Sequence, residues 1–155
     1  MNTARLYSDL KTAEGVRYQA YKDSRGYWTG GVGHFLDQSV DWTGQRFSPG
    51  QVDAWLQQDV DTAIANAQAQ PEWKALDTDA RQNAFCELVF NMGTAKWDGF
   101  VHDRQAMEAQ DWPTVKAQLA DSAWAKQVGT ARSQRIENYL LTGEFDGGSA
   151  GQSAA

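Results

Sequence analysis

Apolar residues recur at helical intervals along most of the chain and alternate over one short stretch near its start. Leu6, Leu10 and Ala13 fall on one stripe at spacings of four and three. Thr3 can cap the helix they define and Gly15 can end it, which puts Glu14 at a helix terminus. The pattern then changes. In VRYQAYKDSRGYWTGGVGHF, apolar and aromatic positions partly alternate, DSRG supplies turn residues, and Gly30, Gly31 and Gly33 resist a helix, so a small antiparallel β-region is predicted.

Ser48-Pro49-Gly50-Gln51 has the form of a capping box with proline in the first turn. Val52, Trp55, Leu56, Val60, Ala63 and Ile64 follow at helical intervals, predicting a helix over about 49–68. Pro71 breaks the pattern. Shorter helices are expected around 72–76, from Asp77 through the FCELVFNM run, and near 101–109, with Gly93 and Gly99 as punctuation. Asp111 reads as an N-cap with Pro113 just inside a helix carrying Val115 and Leu119. A last helix from about Thr130 bears Ile136, Tyr139 and Leu140 and closes at Thr142-Gly143. The result is an α+β fold, mainly helical, with a small N-terminal antiparallel β lobe and a larger helical lobe around a cleft. One domain over 1–145 is expected, followed by a flexible tail over 146–155, DGGSAGQSAA.

At 155 residues the chain can bury roughly 70% of the surface it exposes when unfolded, enough for a core. No stretch approaches the roughly 20 apolar residues of a membrane span, and the first residues lack the basic-then-apolar pattern of a secretory signal. Synthesis in a bacterial cytoplasm without stable membrane association is the expectation. Cys86 has no second cysteine to pair with and lies in the apolar run AFCELVF, where it reads as a small buried hydrophobe. A net charge of -6 argues against a nucleic-acid partner. Seven tryptophans, five tyrosines and six phenylalanines exceed the evident needs of a core, leaving some to face a carbohydrate.

Glu14, Asp23 and Thr29 are separated by eight and then five residues, inside EGVRYQAYKDSRGYWTGGVGH. With LVFNMGTAKWDGF and SAWAKQVGTARSQR further on, this set resembles the phage-type (T4-like) lysozymes over about residues 5–145. The resemblance implies a lysozyme-like fold. It also implies an endolysin-type muramidase that hydrolyses the β-1,4 bond between N-acetylmuramic acid and N-acetylglucosamine in peptidoglycan. The chemistry suits those residue types. Cleavage through an oxocarbenium-like transition state needs a proton for the leaving oxygen and a nucleophile on the opposite face. Glu14 would deliver the proton, Asp23 would act as base or stabilise positive charge on the sugar, and the Thr29 hydroxyl would help to hold the attacking water. An inverting reaction is implied, with the two carboxyl groups roughly 6.5 to 9.5 Å apart.

Matching positions further imply substrate contacts at Phe35, Phe90, Asn91, Asp103, Gln118 and Arg132, the last facing the acid, and a structural ion pair between His34 and Asp59. Ordinary packing remains an equally open reading for Phe35 and Phe90. No metal or cofactor is implied, and a monomer is expected. Two departures stand out. The family's best-known member is basic, whereas this chain has a pI of about 4.8, which weakens long-range attraction to an anionic wall. That member also carries an aspartate where Ala13 stands here, so an ion pair to Arg135 is missing. A lytic transglycosylase, which would dispense with Asp23 and Thr29, and an inactive peptidoglycan-binding module stay open as alternatives.

Overall fold

The computed structural model describes residues 1–146; residues 147–155, most of the segment read as a tail, lie outside the described residues. The chain divides into two compact units, one formed by Ala4–Thr62 and the other by Met1–Thr3 together with the chain from Ala63 onward. The fold is α+β: among the described residues it has seven α-helices, one short 3₁₀ helix and a three-stranded antiparallel sheet.

In the first unit, α1 (Thr3–Glu14) buries Leu6 and Leu10. Thr3 is its first helical residue rather than its cap. The helix stops where Gly15, at φ +72°, donates its N–H to the Lys11 carbonyl at 2.9 Å, a left-handed exit that only glycine adopts without strain. Strands β1 (Arg17–Lys22), β2 (Trp28–Gly31) and β3 (His34–Phe35) follow in that order across the sheet. Tyr21 pairs with Thr29 and Arg17 with Gly31, with a bulge between them; Thr29 in turn pairs with Phe35. α2 (Pro49–Gln68) starts under Ser48, whose Oγ accepts the Gln51 N–H at 3.1 Å, and buries Val52, Leu56 and Val60.

The second unit is helical. A 3₁₀ helix (Pro71–Ala75) leads to α3 (Asp79–Asp98), which begins under a Thr78 cap rather than at Asp77 and breaks at Gly93 (φ 77°, ψ 163°). α4 (Val101–Glu108), α5 (Trp112–Ala120), α6 (Ala123–Val128) and α7 (Thr130–Thr142) complete it. α7 packs on α3, α5 and α6, and its Ile136, Tyr139 and Leu140 are fully buried. The Asp111 carboxylate accepts the Thr114 N–H to cap α5, and Gly143, at φ +73°, closes α7. The periodicity gives no sign of α6, a six-residue helix that buries only Trp124. Cys86 is fully buried, its Sγ 3.6 Å from Met1 Sδ, and burial pushes its thiol up to about 12.

Candidate active site

Glu14 is the last residue of α1, half-buried, with Gly33 pressed against it. A Cβ built on Gly33 would stand 2.9 Å from Glu14 Oε2 and 3.0 Å from its Cδ. The turn between β2 and β3 thus brings bare backbone, at φ +64°, up to the carboxyl group.

Asp23 opens the turn between β1 and β2. Its Oδ1 accepts the N–H groups of Arg25 and Tyr27, each at 2.9 Å, and its own N–H donates to the Tyr27 carbonyl at 2.9 Å. This Asx-type closure fixes the carboxylate plane. Oδ2 takes neither of these amide bonds and lies 4.0 Å from Arg25 Nη2, on a side chain one-quarter exposed. One oxygen is held and the other is available.

Thr29 lies in β2, 4% exposed. Its Oγ1 donates to the Tyr27 carbonyl at 3.0 Å, and since a carbonyl only accepts, the hydroxyl hydrogen is committed there. Toward anything else Thr29 offers lone pairs. Directly opposite residues in a sheet project to the same face, so Tyr21, Thr29 and Phe35 form a row across the three strands. Phe35 is 52% exposed and its ring sits 5.1 Å from that of Tyr27.

The other face of the sheet anchors the hairpin. His34 Nδ1 lies 2.7 Å from Asp59 Oδ2 on α2, and its ring stacks on Trp55 at 4.5 Å and 10°. Phe47 meets Trp55 edge-on at 4.8 Å and closes over Gly30, where a Cβ would come within 2.7 Å of the Phe47 ring. His34 therefore ties β3 to the long helix by a polar contact and a ring stack together.

Glu14, Asp23, Thr29, His34, Phe35 and Asp59 all belong to the Ala4–Thr62 unit, whereas Phe90, Asn91, Asp103, Gln118 and Arg132 belong to the helical unit. There, Asn91 Oδ1 accepts the Trp124 indole N–H at 3.0 Å, Phe90 is half-buried and Gln118 exposed. Asp103 is 4% exposed with its Oδ1 enclosed and without a hydrogen bond, and burial raises its carboxyl to about 7. Arg132 Nε donates to Glu87 Oε1 at 3.0 Å. Arg135 grips the same carboxylate with two further bonds, at 2.8 and 2.7 Å, so Glu87 serves both arginines of α7. Glu87, 1% exposed, was hidden in the apolar run AFCELVF.

The phage lysozyme family model matches residues 11–137, spanning both units. The chain belongs to the phage lysozyme family. That places it among the lysozyme-type peptidoglycan hydrolases. It is 24% identical to Probable T4-type lysozyme 1 of Dictyostelium discoideum, over 88% of this chain and 94% of that protein. An endolysin of Acyrthosiphon pisum secondary endosymbiont phage 1 is 35% identical over 54% of each chain. Peptidoglycan hydrolase gp36 of Pseudomonas phage phiKMV is 26% identical over 77% of this chain, which spans only 13% of that longer protein. Members of this phage lysozyme set thus occur both at this length and as one part of a larger polypeptide.

Proposed function

We propose that this phage lysozyme is a muramidase that hydrolyses the β-1,4 bond between N-acetylmuramic acid and N-acetylglucosamine with inversion, using Glu14 as acid, Asp23 as base and Thr29 to orient the water. The observation that carries the reading is the hydrogen-bond state of the hairpin. Thr29 Oγ1 has committed its hydrogen to Tyr27, and Asp23 Oδ1 is held by two amides. A water that donates one hydrogen to Thr29 Oγ1 and the other to Asp23 Oδ2 keeps a lone pair free for the anomeric carbon. As that lone pair attacks, Asp23 takes the water's proton and Glu14 protonates the departing oxygen, so charge balances across the step. A transglycosylase has no use for such a water site, which sets that alternative second.

In the same reading, Phe35, Phe90, Asn91, Asp103, Gln118 and Arg132 contact the glycan. His34 and Asp59 hold the hairpin without touching substrate. Peptidoglycan is the partner and the protein acts as a monomer. It is synthesised in the bacterial cytoplasm and reaches the wall once the inner membrane is permeabilised; among the described residues no helix is long and apolar enough to cross a membrane. The test is digestion of isolated peptidoglycan by the wild type beside Glu14→Gln, with released muropeptides weighed by mass spectrometry. Hydrated reducing ends from the wild type alone are expected. Anhydro sugars would replace this reading with the transglycosylase, and the absence of products from folded protein with the binding module.

A further inference from the structure

Tyr21 is the one polar member of the Tyr21–Thr29–Phe35 row that neither the acid-base scheme nor the packing accounts for. It stands directly across from Thr29 in the β1–β2 register, half-buried, and the Arg17 guanidinium lies over its ring at 4.6 Å. A cation on a ring face fixes the plane of the ring and so the direction of its C–O bond. Among the described residues no group hydrogen-bonds to that hydroxyl. Yet its electrostatic neighbours are the two carboxylates of the proposed reaction. Burial first, and the Glu14 carboxylate next, hold the phenol above the ordinary tyrosine range, with Arg17 opposing and Asp23 adding. The hydroxyl is therefore a protonated donor that stands in the Thr29 row and within electrostatic reach of both Glu14 and Asp23.

Resting on the muramidase reading, the geometry points to Tyr21 as a substrate-binding residue at the point of cleavage, its hydroxyl donating a hydrogen bond to a hydroxyl or acetamido oxygen of the sugar whose glycosidic bond is broken. That sugar must lie between Glu14 on one side and the Asp23–Thr29 water on the other, the region whose charges Tyr21 feels. A neutral donor suits the place. It adds no charge that would disturb the division of labour between the two carboxyl groups, and the Arg17 cap keeps it oriented before substrate arrives, which is what makes such a bond useful in the transition state.

The experiment compares wild type, Glu14→Gln and Tyr21→Phe on soluble glycan strands prepared from peptidoglycan, measuring kcat, KM and thermal midpoint for each. Phenylalanine keeps the ring and its Arg17 contact and removes only the oxygen. The expected result is a fall in kcat/KM of about tenfold, mostly in kcat, with an unchanged midpoint, as loss of one directed hydrogen bond in the transition state requires. Kinetic constants within about twofold of wild type would overturn the assignment, as would a loss of activity that merely tracks a lowered midpoint. A Tyr21→His variant, which restores a donor, is expected to recover part of the lost kcat; recovery equal to that of Tyr21→Leu would also overturn it. If wild type and Glu14→Gln behave alike, the muramidase reading itself has failed, a result separable from any change at Tyr21.

Discussion

Gly33 and Glu14 are in contact through the absence of a side chain: a Cβ on Gly33 would lie 2.9 Å from Oε2 of the carboxyl group, closer than real Cβ atoms come. Two constraints coincide there, since Gly33 also sits at φ +64°. Alanine would add a strained backbone worth about 1 kcal/mol and drive the carboxyl group off its position. Displacing a reacting group by as little as an ångström can cost roughly a hundredfold in rate. Gly33→Ala is accordingly expected to lose at least about tenfold in kcat while unfolding only slightly more easily. Wall-digestion rates beside urea denaturation separate the two effects, and full activity would show that Glu14 can be moved without penalty.

The His34–Asp59 contact, at 2.7 Å with a Trp55 stack behind the imidazole, predicts coupling in stability rather than in chemistry. Both side chains are about three-quarters buried or more, so the bond is less screened than a surface pair. A double-mutant cycle with His34→Asn and Asp59→Asn is expected to return an interaction energy of about 1 kcal/mol, with the kcat of folded protein preserved. Additive effects in urea denaturation would show that the stack alone ties β3 to α2.

What could be read from the sequence here followed local physics. Gly15 marked the end of α1 and so the place of Glu14, the turn residues located Asp23, and Ser48-Pro49 located the start of α2. What escaped depended on register or on distance along the chain. The closeness of Gly33 to Glu14 and of Tyr21 to Thr29 follows from which residues face each other across the hairpin, and the bulge between Arg17 and Tyr21 makes that register unpredictable from alternation. Glu87 looked like an interruption of an apolar run because its partners stand 45 and 48 residues away. α6 was missed because one buried residue, Trp124, sets no period; the Ser122 cap, whose Oγ accepts the Ala125 N–H at 3.3 Å, was its only local signal.

Glu87 supports the arginines of α7, and its removal predicts a large stability cost. The carboxylate is 1% exposed and receives three hydrogen bonds from Arg132 and Arg135. Glu87→Gln keeps the volume but deletes the charge that offsets two neighbouring guanidinium groups. A loss of about 3 kcal/mol is expected, the usual order for breaking a buried ion pair from one side. Calorimetry should show the lowered midpoint, and a variant as stable as wild type would mean that other acceptors carry the arginines.

Asp103 predicts a pH dependence of opposite sign to that of most carboxylates. Burial raises its carboxyl from an ordinary 3.8 to about 7, and Oδ1 has no hydrogen bond to compensate the charge. Between those two values the folded state holds a proton that the unfolded state has released. Stability therefore falls as pH rises through the window, by up to about 1.4 kcal/mol per unit, and the full penalty is present above pH 7. Below about pH 4 both states are protonated and the penalty vanishes. Asp103→Asn, which cannot ionise, is expected to stabilise the protein by about 4 kcal/mol at pH 8 and to leave it little changed at pH 4. The difference between the two unfolding curves across that range isolates Asp103 from every other titrating group. A constant difference would mean that the buried carboxylate is already neutralised by contacts made in both protonation states, and an increasing advantage for aspartate with pH would reverse the assigned sign.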